Sequence, residues 1–254
     1  MAAFRIELVP CLKDNYAYLV HDADAGLTAI VDPSEPGPVR QALAKRGWRL
    51  THILNTHHHF DHTGGNIPLK EASGAKVVGP EKDRERIPGI DEGVIEGQVW
   101  MFGNRRVPVL EIPAHTRAHI AFVFDDAVFT GDTLFAMGCG RLFEGTPAMM
   151  WSSLSKLMTL PDATRVYCGH EYTLNNGKFA LSIEPGNAAL KARMKDVEAA
   201  RASNKPTIPS TIGLEKATNP FLRPNSVEIR QSLVMKDASD VEVFGEMRKR
   251  KDNF

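Results

Sequence analysis

One short segment, T-H-H-H-F-D-H at positions 56–62, constrains this chain more than any other feature. It follows the apolar run His52–Thr56, which we predict to be a buried strand. Side chains two residues apart on an extended chain point the same way, so His57 and His59 are expected to converge on one point. Imidazole is a usual ligand of zinc and similar ions, and the segment therefore predicts a metal site.

The end of the segment offers ligands for a second ion. Asp61 and His62 follow as the chain turns toward Gly64 and Gly65, where glycine permits a tight backbone. The alternative is a histidine-rich surface loop that arose by chance. With 9 histidines in 254 residues, a chance match to all four ligand positions occurs roughly less than once in a thousand. The motif therefore favours two neighbouring metal ions.

Three further His or Asp residues each stand where an apolar strand is expected to end. They are His115 after Val107–Ile112, Asp132 after Ala127–Thr130, and His170 after Thr164–Cys168. Functional side chains concentrate in loops above a rigid sheet. Each of the three alone is more simply an ordinary polar loop residue, but together with the motif they favour one shared metal site.

The remaining histidines are expected to be structural or to support the ligands. They are His21, His52, His58 and His119. His58 is adjacent to both His57 and His59, so on an extended chain its side chain points away from the metal site that they are expected to share. His119 lies close to His115 in sequence, which makes it the first candidate for a supporting role.

In their order along the chain, the seven ligand candidates resemble the motifs of the metallo-β-lactamase superfamily. The resemblance implies a mixed α/β fold, an αββα sandwich with the site at one edge of its two sheets. It divides the ligands between two ions: His57, His59 and His115 on the first, Asp61, His62 and His170 on the second, and Asp132 bridging both. We expect two divalent ions per chain, with zinc first and iron or manganese as alternatives.

Two close cations would give this chain hydrolytic chemistry. They depress the pKa of a shared water and polarise a substrate carbonyl. The carboxylate of Asp132 would reduce the repulsion between the ions, and Asp61 would orient the hydroxide. We therefore expect both carboxylates to be catalytic.

Longer segments narrow the range of possible substrates. G-D-T-L-F at 131–135, G-C-G-R-L-F-E-G-T at 138–146, Y-C-G-H-E-Y-T at 167–173 and N-P-F-L-R at 219–223 resemble the glyoxalase II family, and the likeness runs nearly end to end. It implies hydrolysis of S-D-lactoylglutathione to D-lactate and glutathione. Superfamily members act on many substrates. A hydrolase of another acyl-thioester or of a lactone, and a metal-binding or redox module without hydrolytic activity, remain alternatives.

The resemblance also assigns substrate-binding residues. They are Arg141, Tyr172, Arg248 and Lys251, of which the last two lie three apart on one helical face. Without the resemblance, the run R-K-R-K at 248–251 is more simply a solvated basic face, and Arg141 a surface ion-pair partner. Phe143 stands where some relatives have tyrosine, and Ala118 stands in place of a common glycine.

The pattern of the chain changes near residue 171. Residues 1–170 are expected to form the metallo-β-lactamase-like catalytic domain, and residues 171–254 a small helical substrate-binding domain. Ser239 and Glu242 form a capping box before a last helix, with Val241, Phe244 and Met247 as its apolar stripe. We expect Lys205–Pro224 to be an irregular connection.

Composition and sequence pattern argue against nucleic-acid and membrane partners. Lys plus Arg and Asp plus Glu both total 31, so the basic excess typical of a nucleic-acid-binding protein is missing. The sequence has no apolar run of membrane-spanning length and no signal-peptide pattern at its N-terminus. The three cysteines lack the spacing of a disulfide framework. We expect a cytoplasmic monomer with a small-molecule substrate and no nucleic-acid or membrane partner.

Overall fold

The computed structural model describes residues 4–254, which pack as two compact units. The first unit comprises residues 4–111 and 118–131, and the second comprises Ile112–Arg117 and Asp132–Phe254. The predicted division after residue 170 follows sequence pattern rather than packing, and it stays a prediction.

The first unit is built on a mixed six-stranded sheet with the strand order β1-β2-β3-β4-β5-β6. Its strands are β1 (Arg5–Cys11), β2 (Asn15–Asp22), β3 (Leu27–Val31), β4 (His52–Leu54), β5 (Lys76–Pro80) and β6 (Glu92–Val94). Strands β1 to β3 pair antiparallel, and β3 to β6 pair parallel. The parallel strands β3, β4 and β5 are mostly buried, as expected for strands covered on both faces, whereas the edge strand β6 begins at the exposed Glu92.

A second, antiparallel set of strands belongs to the same unit. Its members, in the spatial order β10-β9-β8-β7, are β7 (Val99–Phe102), β8 (Arg105–Glu111), β9 (Ile120–Phe124) and β10 (Ala127–Gly131). The hairpin between β9 and β10 turns at Asp125, which has a positive φ of 46°.

Aromatic side chains fill the space between these two sets of strands. Tyr18 lies against Phe129 with ring centroids 5.5 Å apart, and His52 lies against Phe102 at 5.2 Å. The other face of the mixed sheet packs against the helices α1 (Pro36–Arg46) and α3 (Asn66–Ser73). The short helix α2 (Phe60–Thr63) lies between β4 and α3 in the chain. This packing fixes the strand ends from which the candidate ligands project.

The second unit is mainly helical. Its strands are β11 (Leu134–Phe135), β12 (Gly138–Cys139), β13 (Arg165–Cys168) and β14 (Ser210–Thr211). Its helices are α4 (Pro147–Leu157), α5 (Thr173–Ile183), α6 (Ala188–Ala202), α7 (Ile212–Thr218), α8 (Val227–Leu233) and α9 (Asp240–Asp252). Short 3₁₀ turns occur at Glu81–Asp83 in the first unit and at Pro220–Leu222 in the second.

Polar caps and apolar faces explain the helices of the second unit. Ser239 and Glu242 form the predicted capping box at the start of α9. The buried stripe of that helix contains Val243 rather than the predicted Val241, because Val243 shares a face with Met247. Lys205–Pro224 was wrongly predicted to be irregular, since it contains β14 and α7.

A buried ion pair organises this part of the second unit. Arg193 and Glu215 are both buried, and an Arg193 Nη2 donates to Glu215 Oε1 at 2.6 Å. The other carboxylate oxygen of Glu215 accepts the backbone N–H of Met137 at 2.8 Å. The helices α6 and α7 therefore hold the hairpin of β11 and β12 in place.

Among residues 4–254, no helix has the length and apolar content that crossing a membrane requires.

Candidate metal centre and substrate-binding residues

The predicted ligand segment leaves the mixed sheet where β4 ends and runs into α2. His57 and His62 are almost completely buried, whereas the Asp61 side chain is 41% exposed. The rings of His57 and His62 lie 4.2 Å apart between centroids, and those of His57 and His59 lie 4.8 Å apart. The structure thus brings together the histidines that the motif predicted.

Hydrogen bonds on the Nδ1 side orient these rings. The Nδ1 of His57 donates to Thr56 Oγ1 at 3.0 Å, because that hydroxyl already donates to Asp32 Oδ2 at 2.7 Å. The Nδ1 of His62 donates to the same Asp32 oxygen at 3.1 Å. Each ring is then oriented to offer Nε2 to a metal, which is how protein histidines are commonly fixed as ligands.

Sequence reasoning missed Asp32. It follows the apolar strand β3, and its φ of 49° lies in the left-handed region. Ligand-type atoms of Asp32, His57 and His62 all lie within 4.8 Å of one another. Asp132 was recognised because a polar residue follows an apolar strand. The same criterion, applied to every apolar strand, would also have identified Asp32.

Asn15 was also missed. It is buried at the start of β2, and its Nδ2 donates to the main-chain oxygen of Asp61 at 3.0 Å and to its Oδ2 at 3.1 Å. One amide therefore fixes both the backbone and the carboxylate of a candidate ligand. The two residues are 46 positions apart in the sequence, which explains why no local pattern indicates this contact.

The second unit gathers the other three candidate ligands. His115 Nε2 lies 3.5 Å from Asp132 Oδ2, and His170 Nε2 lies 3.3 Å from the same oxygen. All three residues are buried. One carboxylate oxygen thus lies between two imidazoles, which is the arrangement expected of a bridging ligand.

The backbone of the 138–146 segment supports these ligands. The Nδ1 of His115 donates to the carbonyl oxygen of Arg141 at 2.9 Å, so its Nε2 is the nitrogen turned toward Asp132. A side chain at Gly140 would collide with the carbonyl oxygen of Asp132 and press on the ring of His115. The close approach requires glycine here.

The separations within each unit fit metal ligation. Two ligand atoms each about 2.1 Å from one tetrahedral ion are roughly 3.4 Å apart. The 3.3 and 3.5 Å distances to Asp132 match this spacing, and His62 Nε2 lies 3.7 Å from Asp61 Oδ2. The donor set of imidazoles and carboxylates suits zinc, iron and manganese.

Three cations of the second unit gather around Asp252. Its Oδ1 lies 3.0 Å from an Nη2 of Arg248 and 3.8 Å from Nε of Arg141. The charges of Arg141 and Arg248 also act on the neighbouring Lys251. The structure therefore brings the predicted cationic residues together around one carboxylate.

These cations differ in accessibility. The Arg141 side chain is 64% exposed, whereas Arg248 is buried, donates to the carbonyl oxygen of Cys139 at 2.6 Å and lies over the ring of Phe221. The basic run at 248–251 is thus not uniformly solvated. Burial, together with the charges of Arg248 and Arg141, lowers the pKa of the Lys251 ammonium to about 8.

Two aromatic side chains flank the candidate ligands of the second unit. Tyr172 stacks on His170 with centroids 4.6 Å apart and an interplanar angle of 5°, and Tyr172 remains 39% exposed. Phe143 is 61% exposed and meets the His115 ring edge-on at 5.2 Å. Each aromatic ring thus contacts a candidate ligand while presenting surface to solvent.

Three of the remaining histidines support packing. His119 is buried and stacks on His57 at 4.5 Å, and a side chain at Gly131, where φ is 46°, would collide with its ring. His21 stacks on Trp48 at 4.3 Å. His52 contacts the aromatic core, and burial lowers its pKa.

Comparison with known proteins identifies the class. Residues 13–170 match the family model described as metallo-beta-lactamase superfamily. The structure of ETHE1 from Myxococcus xanthus superposes with a TM-score of 0.70 at 27% identity, covering 98% of this chain and 90% of that one. The chain has the metallo-β-lactamase fold, a mixed α/β fold with a helical C-terminal region, and the predicted fold class is confirmed.

The particular family follows from the C-terminal region and from full-length relatives. Residues 171–254 match the model described as hydroxyacylglutathione hydrolase C-terminus. The hydroxyacylglutathione hydrolase of Methylococcus capsulatus is 54% identical, with 97% of each chain covered. That of Rhizobium etli is 49% identical, with 100% of each chain covered. This chain belongs to the hydroxyacylglutathione hydrolase family.

Proposed function

We propose that this chain hydrolyses S-D-lactoylglutathione to D-lactate and glutathione, the second step of methylglyoxal detoxification. The observation that carries the proposal is the double engagement of Arg141. Its carbonyl oxygen accepts from the candidate ligand His115, and its side chain lies among the cations around Asp252. One residue thus connects the reacting centre to a site suited to carboxylates. The names of the full-length relatives support the same activity.

We further propose that seven residues hold two divalent ions. They are His57, His59 and His115 for the first ion, Asp61, His62 and His170 for the second, and Asp132 as the bridge. The ligand-type spacings within each unit and the imidazole orientations support this assignment. Bound at these residues, the ions would lower the pKa of a water and polarise the thioester carbonyl.

The chain's own residues then position the reactants. Asp61, held by Asn15, would orient the attacking water. The water oxygen attacks the carbonyl carbon and the carbon–sulfur bond breaks, so that glutathione leaves as a thiolate. The two protons of the water pass to solvent as D-lactate forms as the carboxylate, and the thiolate takes one proton back from solvent. A thiol has a pKa of about 8.5, so this leaving group needs little help from a general acid.

The substrate's two carboxylates require cations. Arg141 and Lys251 are accessible enough to contact a carboxylate. Arg248 is buried and would add its positive charge to the site from within the fold. The planar guanidinium of Arg141 suits a bidentate carboxylate contact. Tyr172, exposed beside His170, is proposed to contact the glutathione chain.

Zinc is the proposed metal, with iron as the principal alternative. The donors are hard or borderline nitrogen and oxygen atoms, which several divalent metals share. The protein TTHA1623, 28% identical with a TM-score of 0.62 and with 84% of this chain and 98% of that chain covered, has been solved in a di-iron-bound form. Elemental analysis of protein expressed without added metal tests the choice.

Location, assembly and domain roles complete the proposal. The three cysteines are buried, and burial raises the pKa of the Cys139 thiol to about 11 and that of the Cys168 thiol to about 12. Reduced thiols support a cytoplasmic location. We propose a monomer in which residues 1–170 supply the chemistry and residues 171–254 bind the substrate.

A substrate panel tests the function. Rates are measured on S-D-lactoylglutathione, on a coenzyme A thioester and on a lactone, for the wild type and for Arg141→Met. We expect the glutathione thioester to be preferred, and the variant to raise KM for that substrate alone. Equal rates on all three substrates, or no turnover by metal-loaded protein, would contradict the proposal.

A further inference from the structure

His58, the middle histidine of the ligand segment, has a specific set of partners in the first unit. Its Nδ1 lies 2.9 Å from Asp83 Oδ2, and its Nε2 lies 3.2 Å from an Nη1 of Arg86. Both partners stand on the connection between β5 and β6, about 25 residues further along the chain. His58 thus ties the ligand segment to a separate part of the same unit.

The chemistry of the partners fixes where the His58 proton lies. A guanidinium only donates hydrogen bonds, so Nε2 of His58 must accept from Arg86. Nδ1 then carries the proton and donates to the carboxylate of Asp83. Both ring nitrogens are therefore engaged away from metal ligation and from proton transfer.

The anchor itself is firmly held. Asp83 is 2% exposed, and its Oδ1 accepts from Arg86 Nε at 2.9 Å. Its backbone oxygen accepts from the N–H groups of Arg86 and Ile87, at 2.8 and 3.1 Å. A buried carboxylate that lost either partner would be left under-compensated, so the three side chains stabilise one arrangement.

The anchor acts on the neighbouring ligands through the backbone. His57 and His59 flank His58 directly, so fixing the middle side chain away from them sets the direction of both. The Oγ1 of Thr63 donates to the carbonyl oxygen of His59 at 3.2 Å and holds the other end of the same stretch. The segment is thereby restrained at both of these positions by contacts within the protein.

We propose that His58, Asp83 and Arg86 form a positioning unit that preorganises His57 and His59 for the first metal ion. The inference rests on the proposed ligand assignment. His58 is a positioning residue rather than a catalytic one, and it explains why a third histidine stands at a place with the wrong alternation for ligation. Outer partners of metal ligands typically change metal affinity by about 10- to 100-fold.

Zinc affinity of metal-stripped protein is the principal test, measured by competition with a chelator of known affinity. His58→Ala is expected to weaken the first zinc by about 10- to 100-fold. His58→Asn can place an amide N–H near Nδ1 and keep the bond to Asp83, so it should recover most of the affinity. His21→Asn removes a histidine from the same sheet, where it stacks on Trp48, and should bind zinc as the wild type does.

A second readout uses the wild type alone. A long-range ¹H–¹⁵N spectrum of the metal-free protein should show the Nδ1–H tautomer for His58, and Asp83→Asn should disturb that signal. An Nε2–H tautomer in the wild type, or a His58→Ala variant that binds zinc as tightly as the wild type, would overturn the inference. Failure of the proposed function looks different: the wild type would bind zinc, with His58→Ala weakened, yet would not hydrolyse the glutathione thioester.

Discussion

A single amide nitrogen, Nδ2 of Asn15, donates both to the main-chain oxygen of Asp61 and to its carboxylate Oδ2, at 3.0 and 3.1 Å. Asn15 is buried, and Asp61 is the most exposed member of its ligand pair with His62. The amide therefore supplies the restraint that burial does not give to Asp61.

Removing that restraint should impair turnover more than binding. For Asn15→Ala we expect kcat to fall about 10- to 100-fold, with KM nearly unchanged, because Asp61 lies at the chemistry rather than at the remote end of the substrate. Asn15→Asp should be worse, since it places two carboxylates together. Steady-state kinetics decide the matter, and an increase in KM alone would assign Asn15 to substrate binding.

The stack of Tyr172 on His170 predicts separable roles for the ring and the hydroxyl. Tyr172→Phe keeps the ring contact, so zinc affinity and kcat should stay near wild type while KM rises. Tyr172→Leu removes the stack and should also weaken zinc binding, because His170 loses its packing partner. Zinc titration of both variants is the measurement, and equal zinc affinity would show that the stack does not support the ligand.

The lowered pKa of Lys251 predicts a pH dependence of substrate binding. The ammonium is protonated below about pH 8, and only the protonated form attracts a substrate carboxylate. Binding favours the proton, so affinity is full below this pKa and declines as the pH rises through it. We expect KM to rise between pH 7 and pH 9.5 as a result.

Lys251→Arg is the matched control, because its guanidinium stays charged throughout this range. Lys251→Met should show a high KM that does not depend on pH. An identical rise of KM with pH in the wild type and in Lys251→Arg would exclude Lys251 as its source.

The buried pair of Arg193 and Glu215 predicts a large effect on stability. Arg193→Met leaves a buried carboxylate uncompensated, and the free energy of unfolding should fall by roughly 3–5 kcal/mol. The double variant Arg193→Met with Glu215→Leu should recover part of this loss. Denaturant unfolding measures both, and a single variant as stable as the wild type would show that Glu215 finds another partner.

The candidate ligands could be picked out from the sequence because their signals are local. His57 to His62 form one motif, and His115, Asp132 and His170 each follow an apolar run. The strands were predictable for a similar reason, since alternation and turn residues act over a few positions. Some ends moved, as at β4, which stops at Leu54 rather than at Thr56. The short strands β6, β7, β11, β12 and β14 were not predicted at all.

The contacts that support the candidate ligands could not be predicted, because they join residues that are distant in sequence. Asp32 reaches His62 across 30 residues, and Asn15 reaches Asp61 across 46. The burial of Arg248 could not be predicted either, since the sequence of a basic run does not show whether one of its side chains is buried. Tertiary packing, not local pattern, decides these positions.

Zinc titration of metal-stripped protein, with hydrolysis of S-D-lactoylglutathione followed at each addition, tests the central claim most directly. If seven residues hold two ions that act together, activity should be absent without metal and should rise to a plateau at two equivalents per chain. Two results would contradict the account: full activity in the metal-free protein, or no hydrolysis of this substrate after two equivalents of zinc have bound.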